Sequence, residues 1–262
     1  MSGPRVLTFA NQKGGVGKTT TVACLGAALA EAGRRVLLVD LDPQACLTFS
    51  VGLDPDAIEV SLYEVMLGLV DPRAVVVGTE EGPDLLPASI DLAGCEARLL
   101  PVQDREYRLR QALTRIAEDG RSYDDILIDC PPTLGMLTIN GLTAADALII
   151  PMQCETLAYR GVGQLLDTVT IDVVGITNPN LRILGVLPTL YDGRTAHSRE
   201  VLADISQRYG VDVLEPAIPR TIRFAEAPAA GRTLLATDSA SKGAKAYRKL
   251  AKSLLGPEFA NF

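Results

Sequence analysis

The chain has one histidine, His197, no pair of cysteines spaced C-x-x-C, and no apolar run approaching the roughly 20 residues that span a bilayer. Each shortage excludes something. A lone imidazole, with no residue of metal-ligand type beside it, gives little support to zinc-hydrolase or serine-hydrolase chemistry and reads as a surface or dimer-edge residue. The five cysteines, Cys24, Cys46, Cys95, Cys130 and Cys154, are odd in number and widely spaced. They make no zinc or iron–sulfur ligand set and read as reduced thiols of a cytosolic protein. No charged-then-apolar leader opens the sequence. No internal repeat, low-complexity tract or long linker interrupts it. Positive charge is also in deficit: 25 Lys and Arg face 32 Asp and Glu, a net charge of −7. That excludes a surface that is basic all over, though not a local basic patch.

What is present is apolar and periodic. Of 262 residues, 47% are hydrophobic, ample for a sizeable core. Short β-prone runs recur at Val6–Ala10, Val36–Val39, Asp84–Leu86, Ile126–Ile128, Ala147–Ile150 and Ile183–Leu187. Between most of them lie segments of helical spacing, 20–32, 105–118, 160–173 and 197–209. Alternation of this kind predicts a mostly parallel twisted sheet with helices on both faces, an α/β fold in a single domain over 1–262. Residues 51–60 and 71–83 read as irregular. In such sheets ligands bind beyond the carboxyl ends of the strands.

Three motifs fall at those ends. Residues 12–20 read QKGGVGKTT, between the first apolar run and a small-residue helical segment. Strand, glycine-rich loop and helix in that order form a phosphate-binding loop of the P-loop NTPase kind. The backbone N–H groups of Gly14, Gly15, Val16 and Gly17, continuing into Thr20, can converge on one anion, helped by the helix N-terminus. Lys18 can bridge the β- and γ-phosphates, and the Thr19 hydroxyl can ligate Mg²⁺. The first glycine of the usual pattern is replaced by Gln12, and a second lysine, Lys13, follows it. The second motif, Asp40-Leu41-Asp42-Pro43-Gln44, puts two carboxylates at a strand end, one of them able to hold an attacking or metal-bound water. The third, Ile126-Leu127-Ile128-Asp129-Cys130-Pro131-Pro132, is an apolar strand ending in Asp, the arrangement in which a carboxylate holds Mg²⁺ through water.

KGGVGKT resembles the deviant Walker A motif of the ParA/MinD ATPases. NQKGGVGKTT, VLLVDLDPQ, LIDCPP, LTINGLTAAD, IPMQCET, LYDGRT, IPRTIRFAEAP and GAKAYRKLA are similar to segments of the chromosomal ParA proteins called Soj. The resemblance implies an ATPase of weak intrinsic rate, working with ATP, ADP and Mg²⁺ in chromosome, plasmid or cargo partitioning. It implies an ATP-driven sandwich homodimer that binds DNA without sequence preference, and a ParB-type partner that stimulates hydrolysis. By motif, Lys13 reaches the phosphates of the opposite subunit, Lys18 holds its own, and Thr19 ligates the metal. Asp42 positions water, Asp40 stands in the outer metal shell, and Asp129 acts on the metal through water. Pro219 and Thr221 fall where the family contacts adenine. Three positions depart from the family: Ala45-Cys46 stands for Gly-Asn, Thr221 for Asn, and Arg160 for an acidic residue.

Arg194, Arg220, Arg223 and Arg232, with Lys242, Lys245, Arg248, Lys249 and Lys252, bias the C-terminal third towards positive charge. Taken alone such a run reads as a solvated helix face. With the resemblance, Arg194, Arg220, Arg223 and the 242–252 cations become candidate DNA-phosphate contacts, placing the ATP-bound form on the nucleoid. The first apolar run begins so early that no preceding helix-turn-helix unit, and so no operator reading, is expected. The rival is MinD-like membrane association: Gly243–Leu255 places Ala244, Tyr247, Leu250, Ala251 and Leu254 on one face. Alanine and tyrosine insert weakly, so docking on the domain's own core is expected and stable membrane association is not. A ligase of the dethiobiotin-synthase type, using the same loop, is opposed by DLDPQ and RFAEAP.

Overall fold

The computed structural model describes residues 3–118, 123–155, 158–256 and 259. In chain order the elements are β1 (Arg5–Phe9), α1 (Lys18–Glu31), β2 (Val36–Asp40), α2 (Cys46–Ser50), α3 (Leu62–Leu67), β3 (Val77–Gly78), β4 (Asp84–Leu86) and α4 (Cys95–Leu99). There follow α5 (Arg108–Glu118), β5 (Asp125–Asp129), α6 (Met136–Ala144), β6 (Ala147–Gln153), α7 (Ala158–Thr168) and β7 (Arg182–Thr189). The chain closes with α8 (Ala196–Tyr209), α9 (Arg223–Glu226), α10 (Leu234–Thr237) and α11 (Lys242–Leu254).

The strands form one sheet in the order β3-β4-β2-β5-β1-β6-β7. All neighbours are parallel except β3 against β4. Every residue of β2 and β5 is buried, as strands covered on both faces must be. Side chains alternate between two apolar layers. Leu37, Val39, Ile126 and Ile128 face one, and Leu38, Leu127, Leu7 and Phe9 face the other. Helix α1 lies on the second layer, and its approach is close: a Cβ on Gly26 would come within 2.6 Å of Leu38 Cδ2. Helix α11 packs across α1, joined by the buried Thr21–Tyr247 hydroxyl pair at 3.0 Å. At the amino end of the sheet the fully buried Asp125 takes hydrogen bonds from Arg5 Nε (2.8 Å) and Arg34 Nε (2.7 Å), so its charge is compensated.

The six anticipated strands are present, and 71–83 departs from expectation. It contains β3 and the 3₁₀ turn Pro72–Ala74, started by the Asp71 carboxylate accepting from Arg73 N at 3.0 Å. Within 51–60 a second 3₁₀ turn, Pro55–Ala57, is capped by Asp54 in the same way. The segment 105–118 opens as a 3₁₀ turn, Arg105–Tyr107, before α5. The segment 160–173 is α-helical only to Thr168; Val169–Thr177 continues as a wider π-helix. Apolar periodicity reports a helix but not its pitch over its last turns.

Candidate nucleotide site

The carboxyl ends of β1, β2, β5 and β6 bring the anticipated motifs to one edge of the sheet. Between Phe9 and Lys18 the chain turns twice through left-handed backbone, at Gly15 (φ 73°) and Gly17 (φ 80°), where a side chain would be strained. Helix α1 then starts with no side-chain cap and no acidic residue in its first turn. Its first N–H groups are left for an anion, and its positive end is not neutralised. The loop is anchored from both sides. Asn11 donates to Pro151 O (2.8 Å) and accepts from Lys13 N (3.0 Å). The Thr189 hydroxyl donates to Val16 O (2.6 Å), keeping Val16 buried. Lys18 is buried, and its Nζ meets Lys13 O at 3.5 Å, a weak contact that leaves its ammonium available.

A cavity of about 890 Å³ opens over this loop. Gly14, Gly15, Gly17, Lys18, Thr19 and Thr20 line it, together with Asp42 and Gln44. Phe49, Thr221, Phe224 and Pro228 are also in the lining. The lining thus combines one lysine, loop N–H donors and apolar surface, which suits a polyphosphate joined to an aromatic base. Pro219 is not in the lining; it bridges to Tyr191 behind the wall that carries Thr221.

The acidic residues divide sharply in their surroundings. Asp42 is half-buried at the cavity wall and accepts from Gln44 N (2.9 Å). Asp40 is fully buried, and its Oδ2 accepts from both Thr48 N and the Thr48 hydroxyl at 2.8 Å. Burial pushes its carboxyl up to about 6, against those donors. Asp129 is also fully buried, and neither carboxylate oxygen has a hydrogen-bond partner. Burial, and then the neighbouring Asp40 charge, raise it well above the usual carboxylate range; Thr19 and Lys18 act the other way. An orphaned buried carboxylate beside a lysine and a threonine fits a hydrated divalent cation, which supplies both charge and donors. Thr19 and Asp129 could hold it, with Asp42 at the cavity wall.

Lys13 stands apart from its own loop's anion site. It is exposed, and its ammonium pairs with Glu155, just past the end of β6. The candidate DNA contacts form two groups. Arg194 and Arg220 both act on Asp192, Arg194 by a hydrogen bond at 2.7 Å, and Arg223 follows close by in sequence, paired with Glu226 at 3.1 Å. On α11, Lys242, Lys245, Lys249 and Lys252 are exposed, whereas Arg248 is held by Glu31 and by Ser239 O. His197 is exposed on α8.

A family model described as an AAA domain matches residues 4–183. The chromosome partitioning protein ParA of Caulobacter vibrioides is 45% identical over 255 residues, covering 97% of this chain and 95% of that one. The sporulation initiation inhibitor protein Soj of Bacillus subtilis is 43% identical, covering 95% and 98%. The chain belongs to the ParA/Soj family of partitioning ATPases. It also superposes, with a TM-score of 0.85 and 59% identity over 96% of this chain and 94% of the other, on a Mycobacterium smegmatis protein described as cobyrinic acid a,c-diamide synthase. That protein has been crystallised with ADP and magnesium and with an ATP analogue and magnesium.

Within the ParA/Soj frame, several residues escaped the motif reading. Asn11 fixes the loop, Thr48 satisfies Asp40, Phe49 and Phe224 wall the cavity, and Glu155 holds Lys13. Glu155 lies in the family-like segment IPMQCET, two residues past the end of β6, and that was the available signal. Phe224 lies likewise in the family-like segment IPRTIRFAEAP, whereas Thr48 carried no signal, because its partners Asp40 and Ala88 are distant in sequence.

Proposed function

We propose that the chain binds ATP with Mg²⁺, hydrolyses it slowly, and dimerises in its ATP form as a switch for partitioning DNA or another cargo. The observation that carries this is the pairing, in one crevice, of an uncapped loop-to-helix cradle with the orphaned carboxylate of Asp129. When bound, Mg²⁺ would neutralise charge between the β- and γ-phosphates. Lys18 then anchors those phosphates, Thr19 and Asp129 hold the metal's shell, and Asp42, fixed by Gln44 N, orients the attacking water. Lys13, unneeded by its own loop, completes the phosphate site of a second copy. Thr221, with the apolar lining of Phe49, Phe224 and Pro228, takes the base, and Pro219 sets the backbone beside Thr221.

The dimer doubles the exposed cations at Arg194, Arg220, Arg223, Lys242, Lys245, Lys249 and Lys252, and so binds DNA phosphates irrespective of sequence. A ParB-type protein that accelerates hydrolysis would end that state. The apolar residues of α11 are buried against the domain and are not offered to lipid, which supports nucleoid over membrane localisation in the cytoplasm. Among the described residues no helix is long and apolar enough to cross a membrane.

The M. smegmatis description favours a second reading, ATP-driven amide formation. Release of ammonia from glutamine by a cysteine nucleophile needs a thiol made acidic by its surroundings. Here burial raises the thiols of Cys24, Cys46, Cys95, Cys130 and Cys154. Light scattering separates the two readings. Asp42→Ala with ATP should double in mass, and with ADP should not; equal masses, together with amide product from cobyrinic acid and glutamine by the parent, would establish the second reading instead.

A further inference from the structure

Lys13 is a cation that its own phosphate loop does not use, yet it is not idle. Its Nζ donates to Glu155 Oε2, and the two side chains are 43% and 48% exposed. The pairing joins elements that are also linked through the Asn11 side chain. The Lys13 N–H is held by Asn11 Oδ1, and Asn11 Nδ2 is held by Pro151 O of β6. Glu155 lies beyond the end of that same strand, its own N–H bonded to Gln153 O at 2.9 Å. Both ends of the ion pair therefore stand on fixed backbone, and only the side chains need to move to break it. Lys18 contacts Lys13 O, so the two lysines point to different partners from one turn of chain.

We propose that Glu155 is a positioning residue that retains Lys13 on its own subunit until a second subunit's phosphates take it. This rests on the reading above, in which Lys13 acts across a dimer interface. The physical logic is a competition. An exposed ion pair is weak and screened by salt, so it does not lock the chain. It keeps a flexible ammonium from folding back beside its own Lys18, and it makes each subunit exchange one carboxylate for a more highly charged phosphate on dimerising. A triphosphate offers more negative charge near Lys13 than a diphosphate, so the exchange favours the ATP state. Two such pairs break per dimer, which raises the concentration needed for association more than one contact alone would.

The test uses full-length protein carrying Asp42→Ala to suppress hydrolysis, with ATP and Mg²⁺, and reads the monomer–dimer midpoint by analytical ultracentrifugation. Glu155→Gln keeps the shape and removes the charge. It should lower the midpoint concentration by about three- to tenfold for two pairs of this strength. Fluorescent-nucleotide affinity of the dilute monomer should stay within about twofold. The gap from the parent should close as salt rises, because screening removes the competing pair from the parent. Combined with Lys13→Ala, the Glu155→Gln change should have no effect, leaving a monomer. A midpoint unchanged or raised by Glu155→Gln would overturn the proposal. So would dimerisation of the double variant to the extent of Glu155→Gln alone, since the effect would then not pass through Lys13. If the parent stayed monomeric with ATP, or if Lys13→Ala dimerised as well as the parent, the dimer reading itself would fall, and this outcome is distinct from the others.

Discussion

Asp40 and Asp129 are register partners on the neighbouring parallel strands β2 and β5, and only Asp40 has hydrogen-bond donors. The asymmetry assigns different work to two carboxylates that look alike in sequence. Asp40 is tied through Thr48 to α2, and the Thr48 hydroxyl also accepts from Ala88 N at 3.1 Å, so Asp40 braces the loop that carries Asp42. Asp129 has no such partner and is destabilising until something supplies one.

Asp129→Asn should therefore stabilise the nucleotide-free protein while abolishing its response to Mg²⁺. Burial, and then the neighbouring Asp40 charge, favour its protonated form over the opposing pull of Thr19 and Lys18, so its folded pKa lies well above the ordinary 3.8. The folded state then holds more protons than the unfolded one above about pH 4, and stability falls as pH rises through that range. The gain from Asn should be present at pH 8, at least about 1 kcal/mol or 2–4 °C in Tm for a chain of this size, and should vanish near pH 4. Calorimetry across pH checks this, and a gain independent of pH would refute it.

Lys18→Ala should lose ATP without unfolding. The ammonium is buried but makes one weak internal contact, so its removal frees no strong partner. A charge-assisted contact to phosphate is worth about 1.5–3 kcal/mol, so affinity should fall roughly 10- to 100-fold. Titration calorimetry decides it, and an unchanged affinity would show that the loop does not bind phosphate.

Much of this was legible before any coordinates, and the reasons are physical. The three strand-end motifs are local, and a parallel sheet delivers all strand ends to one edge. Short apolar runs such as Leu37-Leu38-Val39 and Ile126-Leu127-Ile128, recurring between helical segments, read as strands buried on both faces. What escaped depends on contacts between distant residues. Tyr247 with Thr21, Arg248 with Glu31, and Lys13 with Glu155 are each separated by more than a hundred positions. Arg248 read as one more free cation for this reason. The short α3 was also missed, although its Ser61–Glu64 capping box was visible in sequence, because it carries too little apolar periodicity to stand out. Ala45 shows a cost that sequence hides. It occupies left-handed backbone (φ 50°) where the family resemblance anticipates glycine, a strain of about 1–2 kcal/mol for a residue with a Cβ.

Tyr247→Phe should cost about 1 kcal/mol, lowering Tm by about 2–4 °C, by removing the buried hydroxyl pair with Thr21. The ring must remain, because Phe224 meets it edge-on at 5.7 Å and also walls the nucleotide cavity. Tyr247→Ala should therefore weaken nucleotide binding as well as stability, while Tyr247→Phe should leave it intact. Equal nucleotide affinity in both variants would uncouple the C-terminal helix from the site.

The proposed DNA surface gives a ranking that a general stickiness of positive charge would not. Arg223 is 61% exposed, and its pairing with Glu226 is of the exposed kind that contributes little, so its guanidinium is available to phosphate. Arg248 is bound by both oxygens of Glu31 and by Ser239, and so is already engaged. With ATP and Asp42→Ala, Arg223→Glu should weaken binding to duplex of any sequence and reduce the log–log salt slope by about 2, one contact from each subunit of the dimer. Arg248→Ala should leave both affinity and slope near the parent's. Lys249→Ala, on the same helix but exposed, should fall between them. Fluorescence anisotropy over a salt series measures all three variants. If Arg248→Ala lowered the slope as much as Arg223→Glu, the phosphates would lie along α11. The loop carrying Arg194, Arg220 and Arg223 would then not be the DNA surface.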